Sequence, residues 1–183
     1  MLEIAVLGLL NQSPMHGYEL RKRLASLLGT FRAFSYGSLY PTLRRLAEAG
    51  WISEEAPLEA SSTARSRRGK RVYRLTADGK EHLAELLAEV GPDAFDDDGF
   101  GARLAFFAQT RAEIRLQILE GRRRRVELQR DGMKSTLSRP GERLDRYTRE
   151  LHKHGLESVD REVRWLTELI ESERSDPRHG PAS

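Results

Sequence analysis

Residues 35–50 read SYGSLYPTLRRLAEAG, and this stretch decides the fold of the first half of the chain. Leu39, Leu43 and Leu46 are spaced by four and three residues, so they share one face of a helix. At about 100° per residue the opposite face carries small, polar and basic residues: Gly37, Ser38, Pro41, Arg44, Arg45 and Glu48. A helix with such an outer face is expected to meet something outside the protein.

Pro41 is the unusual residue of this helix, because a proline in a helix interior costs about 3 kcal/mol. If the helix begins near Ser38, Pro41 lies in the first turn, where its missing N–H group is no loss. If the helix begins at Ser35, Pro41 lies further in and bends it. In either case the small residues ahead of the proline allow a close approach of the backbone to a partner.

Two helices are predicted before this stretch. Residues 2–10 are apolar on nearly every side, which predicts a helix enclosed by other helices or by a second subunit. After a break at NQSP, an amphipathic helix is predicted over about residues 16–28. Three helices in some fifty residues, the last with a small and basic outer face, are typical of a helix-turn-helix unit.

A hairpin and a fourth helix are predicted after Gly50. The segments WIS, before Glu54, and RVYRL, at residues 71–75, are β-branched or aromatic and bounded by turn formers, which predicts two strands. Thr76 is a suitable N-cap for the next helix, whose inward stripe is Leu83, Leu86, Leu87 and Val90. The fold predicted for residues 1–90 is therefore a winged helix-turn-helix with a two-stranded wing.

The net charge of +3 hides an asymmetry along the chain. Residues 1–80 hold 13 Lys and Arg against 7 Asp and Glu, a balance of +6, whereas the remainder holds 18 against 21, a balance of −3. Residues 61–74, SSTARSRRGKRVYR, contain six basic residues and no acid. Such a local concentration of positive charge attracts phosphate backbones.

The second half of the chain is predicted to be helical. We expect an acidic, glycine-rich linker at residues 91–101, a helical domain at 102–174 and a disordered tail at 175–183. Charged helices are predicted over about residues 111–137 and 142–173. Apolar residues of the second helix step by three, four, three and four, as in a coiled coil: Leu156, Val159, Val163, Leu166 and Ile170.

These five residues are the predicted dimer contacts, because a narrow apolar seam on two charged helices cannot bury enough surface alone. The apolar fraction of 38% is below the usual value of roughly 45%, which agrees with a core completed by a partner chain. A twofold dimer would suit two half-sites about one helical turn of DNA apart. Trp165, beside the seam, is expected to pack at the dimer interface in preference to stacking on an effector.

The sequence argues against several other classes of protein. It has no cysteine, so disulfides and thiolate metal sites are excluded and the cytoplasm is the expected location. The apolar start is far shorter than the roughly 20 residues of a membrane span. Gly-x-Ser-x-Gly, a phosphate loop and His-Glu-x-x-His are absent, and His152 and His154 point about 200° apart on a helix. No catalytic residue, cofactor or metal is expected.

Three runs in order, LGLLNQSPMHGYEL, SYGSLYPTLRRLAEAGWI and GKRVYRLTADGKEHL, strongly resemble the PadR family of transcriptional regulators. The resemblance covers residues 2 to about 90, and DRYTRELHKHGLESVDREVRWLTELI is similar to the helical C-terminal region of the longer members. It implies a homodimeric DNA-binding protein, usually a repressor, whose C-terminal helices mediate dimerisation. Many relatives respond to a small aromatic or amphipathic effector. The wing loop here is longer than the usual turn of the family.

The helix at residues 35–49 is the expected recognition helix in the major groove. Its serines can cap or donate to phosphate, its arginines can reach phosphate or guanine edges, and Pro41 can contact a thymine methyl. For its tyrosines a phosphate contact and a purely structural role stay open. The predicted contacts are Ser35, Tyr36, Ser38, Tyr40, Pro41, Arg44 and Arg45.

The wing is expected to contact phosphate or the minor groove, which positions the protein without specifying a sequence. Its predicted contacts are Arg65, Arg67, Arg68, Lys70, Arg71 and Tyr73. His16 and Tyr18 are further candidates, with a capping or turn role equally open for His16. The run GRRRRVE, at residues 121–127, is expected to be a solvated helix face.

The function predicted from the sequence is that of a homodimeric transcription factor. We expect it to repress a neighbouring promoter or its own, and an effector near the dimer interface to change the spacing of the two recognition helices. Its expected partners are double-stranded promoter DNA, a second copy of the chain and a small effector. The alternatives are an activator on the same fold and a winged-helix adaptor that binds protein.

Overall fold

The fold was established from a computed structural model that describes residues 1–28, 36–55, 71–137 and 145–175. Its strands are β1 (Met15–His16), β2 (Ile52–Glu55) and β3 (Val72–Leu75). Its α-helices are α1 (Leu2–Gln12), α2 (Gly17–Leu28), α3 (Leu39–Glu48), α4 (Ala77–Ala88), α5 (Pro92–Phe95), α6 (Asp97–Leu104), α7 (Ala112–Leu137) and α8 (Arg146–Ser175). None of the helices in the described part is long and apolar enough to cross a membrane.

The chain divides into two compact units. The N-terminal unit comprises Met1–Glu89 and Asp97–Thr110, and the C-terminal unit comprises Val90–Asp96 and Arg111–Ser183. The N-terminal unit is mainly helical with one small antiparallel sheet, as predicted. The C-terminal unit is a helical hairpin with a short helix against it.

The core of the N-terminal unit surrounds α1, whose residues 4–10 are all buried. This confirms the prediction of an enclosed helix, since α2, α3, α4, α6 and β3 all pack against α1. Gly8 lies at the centre of α1, and an ideal Cβ there would be 2.5 Å from Cε1 of the fully buried Phe106. The absence of a side chain at Gly8 therefore lets the Phe106 ring reach the helix.

The sheet has three strands in the order β1, β3, β2, so the two predicted strands gain a third partner. Met15 pairs with Tyr73, and Ile52 pairs with Leu75. A strand of two residues carries no periodicity, which is why the sequence did not predict β1. Pairing with Met15 and Ile52 fixes β3 from both sides.

The predicted N-cap of α4 is confirmed, because Oγ1 of Thr76 accepts a hydrogen bond of 3.0 Å from the backbone N–H of Gly79. The same hydroxyl group lies 2.7 Å from the carbonyl oxygen of Gly50, the residue at which α3 gives way to the sheet. Leu83 and Leu87 are buried as predicted. Val90 is 38% exposed because α4 ends at Ala88.

The predicted linker at residues 91–101 differs from the structure. Proline and aspartate start the short helix α5, and the glycine-rich part forms most of α6. Gly99, Phe100, Gly101 and Ala102 are buried in α6, which packs against α1. Most of residues 91–101 are therefore helical, and residues 102–110 belong to the N-terminal unit and not to the C-terminal one.

The helices α7 and α8 form the hairpin of the C-terminal unit, close to the predicted ranges. Asp145 caps α8, because its Oδ1 accepts hydrogen bonds from the N–H groups of Tyr147 and Thr148 at 2.8 and 3.1 Å. These bonds and the Thr148 hydroxyl, which is the largest cause, hold the pKa of the Asp145 carboxyl below its usual value. The bonds explain why α8 starts at Arg146 and not at residue 142.

The residues predicted to meet a second subunit are largely used inside the hairpin. Val159, Leu166 and Ile170 are buried in the chain by itself, and Leu156 and Val163 are partly buried. Since α7 packs along α8, these residues have a partner helix in the same chain. The expectation that the five residues form the dimer contact is therefore wrong for the buried ones.

Candidate nucleic-acid interface

The start of α3 settles the position of Pro41. A short 3-10 helix, Tyr36–Ser38, leads into α3, and Ser38 is the N-cap residue. Pro41 is then the third helical residue, where a backbone N–H has no partner within the helix. The first of the two predicted possibilities is correct, and the proline costs the helix no hydrogen bond.

The two faces of α3 are clearly separated. Leu39, Leu43 and Leu46 are at most 1% exposed, so they fix the helix to the core. The opposite face is exposed along its whole length: Gly37, Ser38, Pro41, Arg44, Arg45 and Glu48. Among the predicted contacts on this helix, Tyr40 is also 44% exposed, so its ring lies at the surface.

Arg44 and Arg45 differ in their contacts. Nη2 of Arg45 donates a hydrogen bond of 2.7 Å to Oε2 of Glu3, a residue of α1. Arg44 is exposed and forms no ion pair within the part of the chain that the structure describes. Arg45 therefore anchors the end of α3 to α1, whereas Arg44 presents its charge to solvent.

Glu3 is the centre of a cluster that the sequence did not predict. Its Oε1 lies 2.8 Å from Nε2 of His82, and the His82 ring stacks on Trp51 with 3.6 Å between centroids. Burial raises the pKa of the Glu3 carboxyl, but hydrogen bonds with His82 and Arg45 outweigh it and hold the pKa below its usual value. The cluster joins α1, α3 and α4 behind the exposed face of α3.

The base of the wing, residues 52–55 and 71–75, carries two ion pairs. Arg71 is paired with Glu54, and Nε of Arg74 lies 3.1 Å from Oε1 of Glu55. Strand alternation explains the pairing, since side chains two residues apart lie on the same face and reach diagonally across the ladder. The two acids could have been noticed in the sequence, because they end the strand that faces the basic one.

The burial of Tyr73 contradicts its predicted contact with DNA. Its side chain is 4% exposed and belongs to the core, because it shares the inward face of β3 with Leu75. Burial raises the pKa of the Tyr73 hydroxyl, and the nearby carboxylate of Glu54 raises it further. Tyr73 thus supports the wing from below and does not reach outward.

The other predicted contacts fall in three groups. His16, at the end of β1, and Tyr18, in the first turn of α2, are exposed, and Tyr18 is 68% exposed. Tyr36 lies in the 3-10 helix before α3. The remaining predicted contacts lie outside the described residues: Ser35, Arg65, Arg67, Arg68 and Lys70.

The run of arginines in α7 is not uniformly solvated as predicted. Arg122 is 7% exposed, and its Nε and Nη2 lie 2.8 and 2.6 Å from Oε1 of Glu162 in α8. Its Nη1 also donates to the carbonyl oxygen of Phe95 at 3.0 Å. Arg122 is thus buried and joins α7 to α8 through Glu162. Arg124 and Arg125 are exposed as expected.

Within the described residues, no group of three His, Asp or Glu side chains is placed to hold a metal ion. The site is instead an exposed helix face beside a charged β-ribbon. An arrangement of this kind on a three-helix core defines the winged helix-turn-helix class of proteins.

Comparison with known proteins relates the N-terminal unit to one family. The model of the transcriptional regulator PadR-like family matches residues 6–85. The N-terminal unit of the chain is therefore similar to this family over 80 residues. The family consists of transcriptional regulators and not of enzymes, as the sequence predicted.

Individual relatives share 20–28% sequence identity with this chain. The negative transcriptional regulator PadR of Bacillus subtilis (strain 168) is 28% identical over 92 residues, which is 50% of this chain. The match spans about half of that protein, 48% of its length. The crystal structure of Bacillus subtilis PadR in complex with operator DNA is 20% identical with a TM-score of 0.44, covering 94% of this chain and 98% of that chain. The structure of the same protein in complex with p-coumaric acid is 20% identical with a TM-score of 0.43, covering 95% and 99%.

Proposed function

We propose that this protein regulates transcription by binding promoter DNA with the exposed face of α3. The observation that carries the proposal is the division of α3 into a buried leucine face and a fully exposed face with the uncompensated charge of Arg44. A helix of this shape fits the major groove, where side chains at its start reach base edges. The activity is proposed for the cytoplasm, where the promoter DNA lies.

Roles follow from position on α3 and on the wing. Ser38 and Pro41 lie at the exposed start of α3, suited to a phosphate and a thymine methyl respectively. Arg44 is suited to a guanine edge or a phosphate. Arg45 is proposed to hold α3 in position through its hydrogen bond with Glu3 of α1. The wing arginines, among them Arg71, are proposed to follow the phosphate backbone.

The test is footprinting and gel retardation on the DNA upstream of the protein's own gene. Binding should weaken steeply as salt rises, because phosphate contacts release bound cations. Arg44→Ala should weaken operator binding by about 1–3 kcal/mol if Arg44 reads a guanine. Lys80→Ala removes one exposed charge from α4 of the same unit and should have little effect. Absence of any retardation at about 50 mM salt would reject DNA binding and favour the protein-binding adaptor.

We further propose that the protein is a repressor that occludes its promoter. The support is the curated relative in Bacillus subtilis, which is a negative transcriptional regulator. The alternative is an activator on the same fold. Promoter fusions in a deletion strain separate the two, since expression rises without a repressor and falls without an activator.

A homodimer formed by the C-terminal unit is also proposed, through a face of α8 other than the predicted seam. Tyr147, Leu151 and Trp165 share one face of α8 at helical spacing, and they are 80%, 69% and 38% exposed. Large apolar side chains are depleted from the surface of a monomer when they share one face, and they are typical of interfaces. This face is therefore the proposed contact with the second copy.

An effector of small aromatic or amphipathic character is proposed to bind in the C-terminal unit near Trp165. Binding there would favour one dimer geometry over another and so change operator affinity. Titration with p-coumaric acid and related aromatic acids tests the proposal. Operator affinity that stays constant across such a series would count against it.

A further inference from the structure

The base of the wing, residues 52–55 and 71–75, carries two acidic side chains that the proposed contact with DNA does not require. It carries one guanidinium–carboxylate pair on each face of the β-ribbon. Glu54 lies on the face of Tyr73 and holds Arg71, while Glu55 lies on the face of Val72 and holds Arg74. Both wing arginines that the structure describes are therefore already paired with an anion of their own chain.

We infer that Glu54 and Glu55 are built-in competitors of DNA phosphate, which set the affinity of the wing for DNA. The inference rests on the proposed function, because it assigns the two acids a role in the same interface. A phosphate that approaches Arg71 or Arg74 therefore competes with a carboxylate for the same guanidinium group. The acids thus lower the affinity for DNA of any sequence.

Folding stability does not account for these pairs. The side chains of Arg71 and Arg74 are 47% and 50% exposed, and those of Glu54 and Glu55 are 27% and 57% exposed. Exposed ion pairs contribute little to stability, because water screens them and two long side chains lose freedom. The same weakness makes the pairs easy to exchange when a phosphate approaches.

The distribution of acids in residues 1–80 points the same way. Residues 1–80 carry 13 basic and 7 acidic residues, so anions are scarce in this part of the chain. Several of the acids nevertheless contact arginines: Glu3, Glu19, Glu54 and Glu55. Glu54 and Glu55 are the ones that hold arginines of the wing.

Counter-ion exchange makes a specific prediction for salt dependence. A free arginine that binds phosphate releases a cation from DNA, which steepens the fall of affinity with salt. A glutamate that loses its arginine gathers cations again, and this offsets part of the release. Removal of the carboxylate should therefore both tighten binding and steepen the salt dependence.

The experiment measures binding of wild type, Glu54→Gln and Glu55→Gln to operator and to unrelated duplex DNA between about 50 and 200 mM salt. Each variant should bind both DNAs about two- to fivefold more tightly at low salt, the ratio that corresponds to one exposed ion pair. The slope of log K against log salt should steepen by up to roughly 0.9 per arginine released. Thermal unfolding checks that each variant is folded, and the two variants lie on opposite faces of the ribbon.

The matched control is Glu81→Gln, which removes one exposed carboxylate from α4 that has no ion-pair partner among the described residues. It separates the loss of a pair from the loss of negative charge in general. A double-mutant cycle is sharper still, because the gain from Glu54→Gln should vanish when Arg71 is also changed to Gln.

The outcomes are distinct. Tighter binding by Glu54→Gln that exceeds the effect of Glu81→Gln and depends on Arg71 supports the inference. Binding by Glu54→Gln and Glu55→Gln that equals the control, or that is weaker than wild type, overturns it while leaving the proposed function intact. Failure of the wild-type protein to bind any DNA rejects the proposed function, and the inference falls with it.

Discussion

Gly79 shows how a residue without a side chain allows two segments of the N-terminal unit to pack closely. It lies in the first turn of α4, where an ideal Cβ would overlap the backbone oxygen of Trp51. That oxygen cannot move freely, since it accepts hydrogen bonds from the backbone N–H and the hydroxyl group of Thr76. The close approach of the first turn of α4 to the backbone of Trp51 thus depends on glycine at position 79.

Gly79→Ala is expected to destabilise the N-terminal unit by about 1–3 kcal/mol, the usual cost of overpacking. Urea unfolding of the full chain measures the change. The matched control is Gly132→Ala in α7, where nothing lies within 4 Å of an added Cβ, and it should stabilise the helix by about 0.5–1 kcal/mol. Equal stabilities for Gly79→Ala and wild type would contradict the close packing.

Glu3 predicts a pH dependence. Burial raises the pKa of this carboxyl, but the hydrogen bonds with His82 and Arg45 bring it below its usual value. A carboxyl whose pKa is lower in the folded than in the unfolded state stabilises the fold above its unfolded pKa. This stabilisation is lost as the pH falls through the lowered folded pKa.

Glu3→Gln is therefore expected to lower the free energy of unfolding by about 1 kcal/mol at neutral pH. The difference from wild type should shrink as the pH falls through the lowered folded pKa of Glu3 and be absent at a pH below it, where both side chains are neutral. Chemical denaturation at both pH values measures it. A difference that is the same at both values would show that the charge of Glu3 is not what stabilises the cluster.

At the scale of elements, burial decides which ion pairs hold the α7–α8 hairpin. The side chains of Arg122 and Glu162 are 8% and 31% exposed, whereas those of Arg174 and Glu120 are 57% and 30% exposed. Both pairs are short, at 2.6 Å. Removing one partner of a buried pair leaves an uncompensated charge, whereas exposed groups return to water.

Arg122→Ala is accordingly expected to destabilise the C-terminal unit by about 3–5 kcal/mol, because Glu162 and the carbonyl of Phe95 lose their donor. Arg174→Ala, which breaks the exposed pair, should cost no more than about 1 kcal/mol. Helix content followed through thermal unfolding compares the two. Similar losses for both variants would contradict a role of burial.

At the scale of the whole molecule, the proposed dimer distinguishes two faces of α8. Leu151→Glu on the exposed face should give folded monomers, because the side chain is 69% exposed in the single chain and lies in the proposed contact. Leu166→Ala in the buried seam should instead destabilise the hairpin by about 2–5 kcal/mol. Sedimentation equilibrium and circular dichroism separate the two effects. A Leu151→Glu protein that remains dimeric would place the contact elsewhere.

The sequence by itself determined the longer elements and the two faces of α3. The spacing of Leu39, Leu43 and Leu46 defined the buried side of α3, and Thr76 defined the start of α4, because both signals act within a few residues. The same holds for the ranges of α7 and α8. Local spacing and capping need no information from the rest of the chain.

Only the tertiary structure decided which side chains of the predicted site face outward. The anchor between Arg45 and Glu3 joins residues 42 apart in the chain, and the burial of Tyr73 follows from its register against Met15 and Glu54. The apolar seam of α8 likewise found its partner in α7 of the same chain. Periodicity shows that a face is apolar or charged, but the neighbour that covers it is set by packing between distant segments.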